Sequence, residues 1–159
     1  SQNDKINEQS LLSAFQKFRQ DFIVQEKINQ HHKLNVLNSS SVNTIRVVTY
    51  LRESEIVNLS SILRIGGVGE FADNSGDKTI GCGIDSNGNV NNGFDFKGTQ
   101  YFNTNKGLEL NKIKIPLYHD ILKSAKETLL VLKPSHNILF ILVFQKTLLL
   151  LVNDYSNQT

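Results

Sequence analysis

The sequence predicts one α+β domain with a mostly antiparallel sheet flanked by helices. A helical pattern of apolar residues comes first, and several runs rich in β-branched residues with short polar links follow it. A second helical pattern then precedes two apolar runs near the end of the chain. The 159 residues, 39% of them hydrophobic, suffice for a single domain with its own core. This order of elements is typical of an α+β architecture.

The first part of the chain predicts a helix and then a β-hairpin. Apolar residues recur at near-helical spacing over residues 9–21, and Ser10 is a suitable N-cap. Residues 43–51 and 55–65 are rich in β-branched side chains and are joined by a short polar link, which predicts two hairpin strands. A glycine-rich loop over residues 66–76 follows the second strand.

The middle of the chain predicts a strand, a turn and a polar loop. Residues 78–84 have the composition of a strand, and residues 85–88 that of a turn. Residues 91–105 are polar and glycine-rich, so a loop is expected, with a short strand at residues 99–102. No internal repeat is visible in the sequence.

A second helix and two strands are predicted for the last part. Pro116 favours the first turn of a helix over residues 117–128. One face of that helix would carry Leu117, Ile121, Leu122 and Ala125. Residues 138–152 are strongly apolar, but the run is too short for a membrane span and has a charge at its centre. Two buried strands with a turn at residues 145–147 are therefore preferred to a membrane segment.

Composition excludes several classes of function. The net charge is +2, from 17 Lys+Arg against 15 Asp+Glu, so neither nucleic acid nor an anionic membrane is expected as the main partner. The single cysteine excludes an internal disulfide framework and a multi-cysteine zinc site. A chain without an internal disulfide bond fits a reducing compartment, so a cytoplasmic location is expected.

Several short motifs are weak candidates for a site. His31 and His32 have no third ligand at metal-binding spacing, so a solvated polar loop is preferred. The start of a calcium-binding loop at Asp85 fails at its glycine and glutamate positions. The glycines at residues 66–69 lack the lysine of a phosphate-binding loop, which favours a flexible loop. Cys82 lies within a strand pattern and is expected to be a buried, inert thiol.

Two arginines form a more informative pair. Arg46 and Arg64 each lie within a β-rich run of otherwise apolar and small residues. A lone arginine on a strand usually faces solvent, but two on the strands of one hairpin can converge on one side of the sheet. Their guanidinium groups suit phosphate or carboxylate oxygens, and residues 73–74 could join them.

The sequence around these arginines resembles the ATP-grasp superfamily. Residues 22–31 read FIVQEKINQH and residues 41–49 read SVNTIRVVT. More narrowly, the chain is similar to the sugar-transfer-associated ATP-grasp proteins found with bacterial exopolysaccharide and capsule synthesis. Further matching elements are Leu63-Arg64-Ile65-Gly66, Asp73-Asn74, the strand end at residues 81–85 and Lys114-Ile115-Pro116. The resemblance runs from about residue 11 to residue 153.

The resemblance implies a two-lobed fold that clamps ATP, and an ATP-dependent ligase that activates a carboxylate for attack by an amine. It implies Mg²⁺ as well as ATP. By position, the catalytic residues would be Arg46 and Arg64, facing the transferred phosphoryl group. The positions implied for nucleotide binding are Gln25, Glu26, Ile28 and Asn74. Asn153 matches the last residue of the family's Glu-x-Asn metal motif.

The chain also departs from the family pattern. Leu151 stands where the metal motif has its glutamate, and a family aspartate of the preceding strand falls near Leu139. The upstream lobe is missing and there is no methionine, so residues 1–159 are expected to be a single partial domain, the later half of a larger fold. Residues 129–152 look like a divergent or frame-shifted copy of the metal-binding strands.

Two hypotheses of function arise from these patterns. The first is an ATP-grasp ligase half-domain, inactive as this fragment, whose parent uses a nucleotide and an unknown carboxylate or sugar-related substrate. The second is a non-catalytic, degenerate nucleotide-binding or interaction fragment. The apolar segment at residues 138–152 would favour self-association in that case.

Overall fold

The computed structural model describes residues 8–17, 29–52, 55–67, 69, 78–132, 139–144 and 148–151. The helices of this part are α1 (Glu8–Lys17), α2 (His32–Asn35), a 3₁₀ helix (Leu110–Lys112) and α3 (Tyr118–Leu132). The strands are β1 (Thr44–Arg52), β2 (Glu55–Ile65), β3 (Ile80–Ile84), β4 (Val90–Phe94), β5 (Gln100–Tyr101), β6 (Leu139–Phe144) and β7 (Leu148–Leu151).

The seven strands form one sheet in the order β5-β4-β3-β2-β1-β6-β7, and every neighbouring pair is antiparallel. The α+β class with an antiparallel sheet is therefore confirmed for the described residues. The β1–β2 hairpin is also confirmed, with Thr44 opposite Arg64 and Arg52 opposite Glu55. The two predicted terminal strands are present, and β6 pairs with β1 in the interior of the sheet. The turn predicted at residues 145–147 lies outside the described residues.

The hydrophobic core lies on one face of this sheet. Val47, Leu63 and Cys82 come from three adjacent strands and have no exposed surface. Ala125 and Leu129 of α3 are equally buried, and α3 contacts β1, β2 and β6. Because side chains alternate along a strand, the residues between these core positions point to the opposite face of the sheet.

One glycine is required by this core. A Cβ atom on Gly93 of β4 would overlap Ile80 and would lie 2.9 Å from the Cys82 sulfur and 3.2 Å from Leu110 Cδ1. Ile80, Cys82 and Leu110 are all buried. The 3₁₀ helix can therefore approach β4 this closely only because position 93 has no side chain.

The start of α3 differs from the prediction. The helix begins at Tyr118 rather than at Leu117, and it extends to Leu132 rather than ending at residue 128. Leu117 has a positive φ of 54° and is 68% exposed, so neither its place on the buried face nor a first-turn position for Pro116 is correct. The physical reason is the burial of Tyr118 against Gly88, where an added Cβ would lie 2.9 Å from Tyr118 Cβ.

A turn motif occurs three times in the middle of the chain, and its first copy is the turn predicted at residues 85–88. The turns begin at Asp85, Asp95 and Thr104, and in each the first side chain accepts hydrogen bonds from the backbone N–H groups two and four residues later. The fourth residue is always a glycine with φ between 77° and 84°: Gly88, Gly98 or Gly107. The three turns share this local geometry within a sequence that shows no internal repeat.

The first of these turns predicts a pH dependence of stability. Hydrogen bonds from the Asn89 side chain and backbone, and from Asn87, lower the pKa of Asp85 below its ordinary value of 3.8. Because the folded pKa is the lower one, this contribution is fully present above 3.8 and is lost as the pH falls through the folded pKa. We expect the free energy of unfolding of Asp85→Asn to depend less on pH in the acidic range than that of the original chain. Urea denaturation at a series of pH values measures this dependence. Asp120→Asn, on the exposed start of α3, is the control, and equal curves for the two variants would contradict the assignment.

Two further elements were not predicted. β4 lies within the segment expected to be a polar loop, because its two asparagines and Gly93 hide the strand pattern. His32 begins the one-turn helix α2, for which the His31 ring accepts a capping hydrogen bond from the Lys33 N–H at 3.2 Å. The prediction of a solvated loop there is therefore wrong in part. The predicted helix at residues 9–21 corresponds to α1 as far as Lys17, but α1 begins at Glu8, so Ser10 lies inside the helix and is not its N-cap. The last four predicted residues lie outside the described residues.

Candidate functional site

Arg46 and Arg64 lie on the same face of the sheet. Thr44 pairs with Arg64, and Arg46 pairs with Ile62, so the two arginines are diagonal neighbours on β1 and β2. Diagonal neighbours on one face are roughly 7–8 Å apart. Both side chains are half-buried on the face opposite the core. The expectation that they converge on one side of the sheet is confirmed, while their chemical role stays a prediction.

The neighbouring strand, β3, has glycines on the face that carries the arginines. Gly81 of β3 pairs with Arg64, and Gly83 pairs with Ile62, so both glycines are on the arginine face. A Cβ on Gly81 would meet nothing closer than 3.7 Å, so packing of the described residues does not require glycine there. Phe94 of β4 pairs with Gly81 and is 49% exposed. We call Arg46, Arg64, Gly81 and Gly83 the arginine face.

A network of buried amides supports this end of the sheet. Asn43, which is fully buried just before β1, donates from Nδ2 to Gln30 Oε1 at 2.9 Å, to Leu34 O at 2.8 Å and to Asn38 O at 2.9 Å. Gln30 Nε2 in turn donates to the carbonyls of Asn38 and Ser41 at 2.9 and 3.1 Å. These bonds fix the segment before β1 and so fix where the strand carrying Arg46 begins.

The same network holds the start of the glycine-rich loop. Asn38 Nδ2 donates to the carbonyls of Gly66 and Gly67 at 2.7 and 3.1 Å, directly after β2. Both glycines are buried, and the Gly69 N–H donates to Ser40 Oγ at 3.3 Å. The prediction of a flexible loop is therefore wrong for its first two residues.

Most of the family-derived positions fall outside the described residues. This applies to the four predicted nucleotide contacts and to the predicted metal ligand: Gln25, Glu26, Ile28, Asn74 and Asn153. Their places relative to the arginine face thus stay predictions. Within the part of the chain that the structure describes, no group of three or more His, Cys, Asp or Glu side chains could hold a metal ion.

Cys82 is the inert thiol that the sequence predicted. Burial on β3 raises its pKa to about 12, because desolvation disfavours the thiolate. Since the thiolate is the reactive form, we expect no alkylation of the native chain at about pH 8 and complete alkylation in denaturant. Mass spectrometry gives a clean readout because the chain has one cysteine. Fast labelling under native conditions would contradict the position of β3 in the core.

The fold and the arginine face together define a class: an α+β domain with a cationic, glycine-lined sheet face. A family model described as sugar-transfer associated ATP-grasp matches residues 3–151, and the chain therefore belongs to that family. Proteins of the superfamily generally bind ATP and Mg²⁺. No curated protein and no solved structure matches the chain. Among the described helices, none has the length and apolar character that crossing a membrane requires.

Sequence reasoning missed the amide network completely. Residues 38–41 have the composition of an ordinary loop, and nothing in the sequence indicates that Asn38 and Asn43 are buried. Several asparagines lie close together directly before a clearly predicted strand. This clustering is the signal that could have indicated buried amides. Even so, the sequence does not show that their partners include the carbonyls of Gly66 and Gly67.

Proposed function

We propose that this chain binds ATP as an ATP-grasp domain and that Arg46 and Arg64 contact the phosphate groups. The observation that carries the proposal is the placement of both arginines on one sheet face by the β1–β2 register. Guanidinium groups bind phosphate oxygens with two parallel hydrogen bonds, and two of them together attract a multiply charged ligand. Glycine at position 81 lets such a ligand approach the backbone of β3 closely.

The remaining contacts in the proposal come from the family resemblance. Gln25, Glu26 and Ile28 would hold the nucleoside, and Asn74 would lie beside the arginines. The parent activity would be an ATP-dependent ligation of a carboxylate to an amine in exopolysaccharide synthesis, in the cytoplasm. The carboxylate or sugar-related substrate is not identified by these residues. Arg46 and Arg64 would orient the phosphates and offset the charge that develops on them.

The residues at the family's metal-binding positions are poorly suited to hold Mg²⁺. A Mg²⁺ ion at an ATP site is usually held by one or two carboxylates together with the phosphates. Neither β6 nor β7, where the family has its metal ligands, includes an Asp or a Glu. Asn153 alone would be left, and a single neutral amide is a weak ligand for this ion. We therefore propose that this chain catalyses no useful phosphoryl transfer by itself.

A non-catalytic nucleotide-binding or interaction fragment is the second candidate. The composition of β6 and β7 favours it, because these strands are entirely apolar where catalysis would need acidic side chains. In the first candidate the parent protein uses bound ATP for catalysis, whereas the second has no catalytic role.

Calorimetry with ATP, with and without Mg²⁺, tests the proposal. We expect ATP to bind with an affinity that Mg²⁺ changes little, and we expect no release of phosphate in a parallel turnover assay. Binding that requires Mg²⁺, or ATP-dependent ligation by this chain, would restore the catalytic candidate. Absence of ATP binding by a folded chain would contradict nucleotide binding in both candidates and leave only an interaction fragment.

A further inference from the structure

A pocket lies at the β5 edge of the sheet, beside the 3₁₀ helix. It has a volume of about 480 Å³ and is lined by Asn92, Phe102, Asn103, Gly107, Glu109 and Asn111. These residues come from β4, from the segment after β5, from the third repeated turn and from the 3₁₀ helix. Since strands are about 4.8 Å apart, β4 lies about 10 Å from β2, which carries Arg64. This volume is within the range of small-molecule sites.

The walls of this pocket are fixed by the core beneath it. Asn92 precedes Gly93, which packs against Ile80 and Cys82, and Asn111 follows Leu110, which has no exposed surface. The Leu110 N–H donates to Phe102 O at 2.8 Å, and Asn103 pairs with Glu109 in an antiparallel bridge. The backbone positions that carry the lining side chains are therefore held before any ligand arrives.

The lining is polar and close to neutral. Among the described residues, no hydrogen bond is made by the side-chain amides of Asn92, Asn103 or Asn111, so their donors and acceptors are available to a ligand. The Glu109 carboxylate accepts a hydrogen bond from Lys112 Nζ at 2.7 Å, which offsets its charge. The pocket therefore selects for hydrogen-bonding groups rather than for strong charge.

An aromatic ring completes the arrangement. Phe102 lines the pocket and is 60% exposed, so its ring is accessible to a ligand. An exposed ring beside neutral amides offers an apolar surface next to paired donors and acceptors. A ligand that matches must combine an apolar ring face with neutral groups that both donate and accept hydrogen bonds.

We propose that this pocket binds a neutral carbohydrate. A pyranose has an apolar C–H face that stacks on an aromatic ring, and its adjacent hydroxyl groups donate to and accept from one amide. Phe102 would stack on that face, while Asn92, Asn103 and Asn111 bind the hydroxyl groups and the Glu109 carboxylate accepts from one of them. This site does not depend on nucleotide binding at the arginine face.

NMR titration of the ¹⁵N-labelled full chain tests the proposal, without nucleotide or Mg²⁺. The probes are methyl β-D-glucopyranoside and methyl β-D-galactopyranoside, with sodium glucuronate and triglycine for comparison. We expect at least one neutral glycoside to shift the backbone amide signals of the lining residues saturably, and more strongly than either comparison compound. Phe102→Ala and Asn111→Ala should each weaken this binding by roughly tenfold.

Asn91→Ala is the matched control, because Asn91 neighbours Asn92 on β4 but does not line the pocket. It should bind the glycosides as the original chain does. The proposal is overturned if neither glycoside shifts the pocket signals, if triglycine or glucuronate shifts them more strongly, or if the Phe102→Ala shifts are unchanged. A chain that binds the glycoside but not ATP would contradict the proposed function and leave this proposal standing.

Discussion

Replacing Gly93 with alanine is expected to lower the free energy of unfolding by about 3 kcal/mol. The new methyl group would overlap Ile80 and crowd Cys82 and Leu110, all of which are buried. A close-packed core has no space for it, so the 3₁₀ helix must move away from β4. Urea and thermal unfolding measure the effect, and a loss of this size corresponds to a melting temperature about 10 °C lower.

Gly81→Ala is the matched control for this prediction. Gly81 is on the adjacent strand, but a Cβ there would make only ordinary contacts, the closest at 3.7 Å. We expect its free energy of unfolding to change by less than about 0.5 kcal/mol. The two variants add the same methyl group on opposite faces of one sheet. Equal stability of Gly93→Ala and Gly81→Ala would contradict the packing described for β4.

Replacing Asn43 with alanine is expected to destabilise the chain by about 3 kcal/mol, since the buried amide makes three hydrogen bonds and each contributes about 1 kcal/mol. The fully buried Asn43 amide donates to the carbonyls of Leu34 and Asn38 and to Gln30 Oε1. Alanine would remove all three of these hydrogen bonds, and each oxygen would keep another donor: the Asn43 N–H, the Leu37 N–H or Gln30 Nε2. Chemical denaturation of the variant measures the loss.

Asn35→Ala provides the comparison within the same network. Asn35 is exposed, and its Oδ1 accepts one hydrogen bond, from Gln30 Nε2 at 3.0 Å. Water can replace this bond, so we expect a change within about 0.5 kcal/mol. If Asn43→Ala were as stable as Asn35→Ala, the amide network would not be responsible for fixing the segment before β1.

Strands β1 and β2 were predictable because their pattern is local. Residues 55–65 match β2 in full, and β1 differs from its predicted limits by one residue at each end. The start of α3 was not predictable, because Leu117 and Tyr118 are both apolar and only the contact between Tyr118 and Gly88 decides which is buried. Such a contact joins residues thirty positions apart, and periodicity does not contain it.

The candidate site was predictable to a similar extent. Two arginines inside β-rich runs suggested a shared face. The antiparallel register of β1 and β2 then placed both arginines on the same face of the sheet. The role of Gly81 needed the pairing of β3 with β2, which places it beside Arg64. The carbohydrate pocket was not predictable, because Asn92, Phe102 and Asn111 meet only through two turns and the 3₁₀ helix.

In the proposed function, the arginine face holds the phosphates of ATP. Calorimetric titration of ATP into three variants tests it most directly: Arg46→Ala, Arg64→Ala and Arg52→Ala. Arg52 lies six residues after Arg46 on β1, is exposed and pairs with Glu55, so its removal changes the net charge equally. We predict that Arg46→Ala and Arg64→Ala each weaken ATP binding by roughly tenfold or more, and that Arg52→Ala has little effect. Equal affinities for ATP in all three variants, each shown to be folded, would contradict the claim.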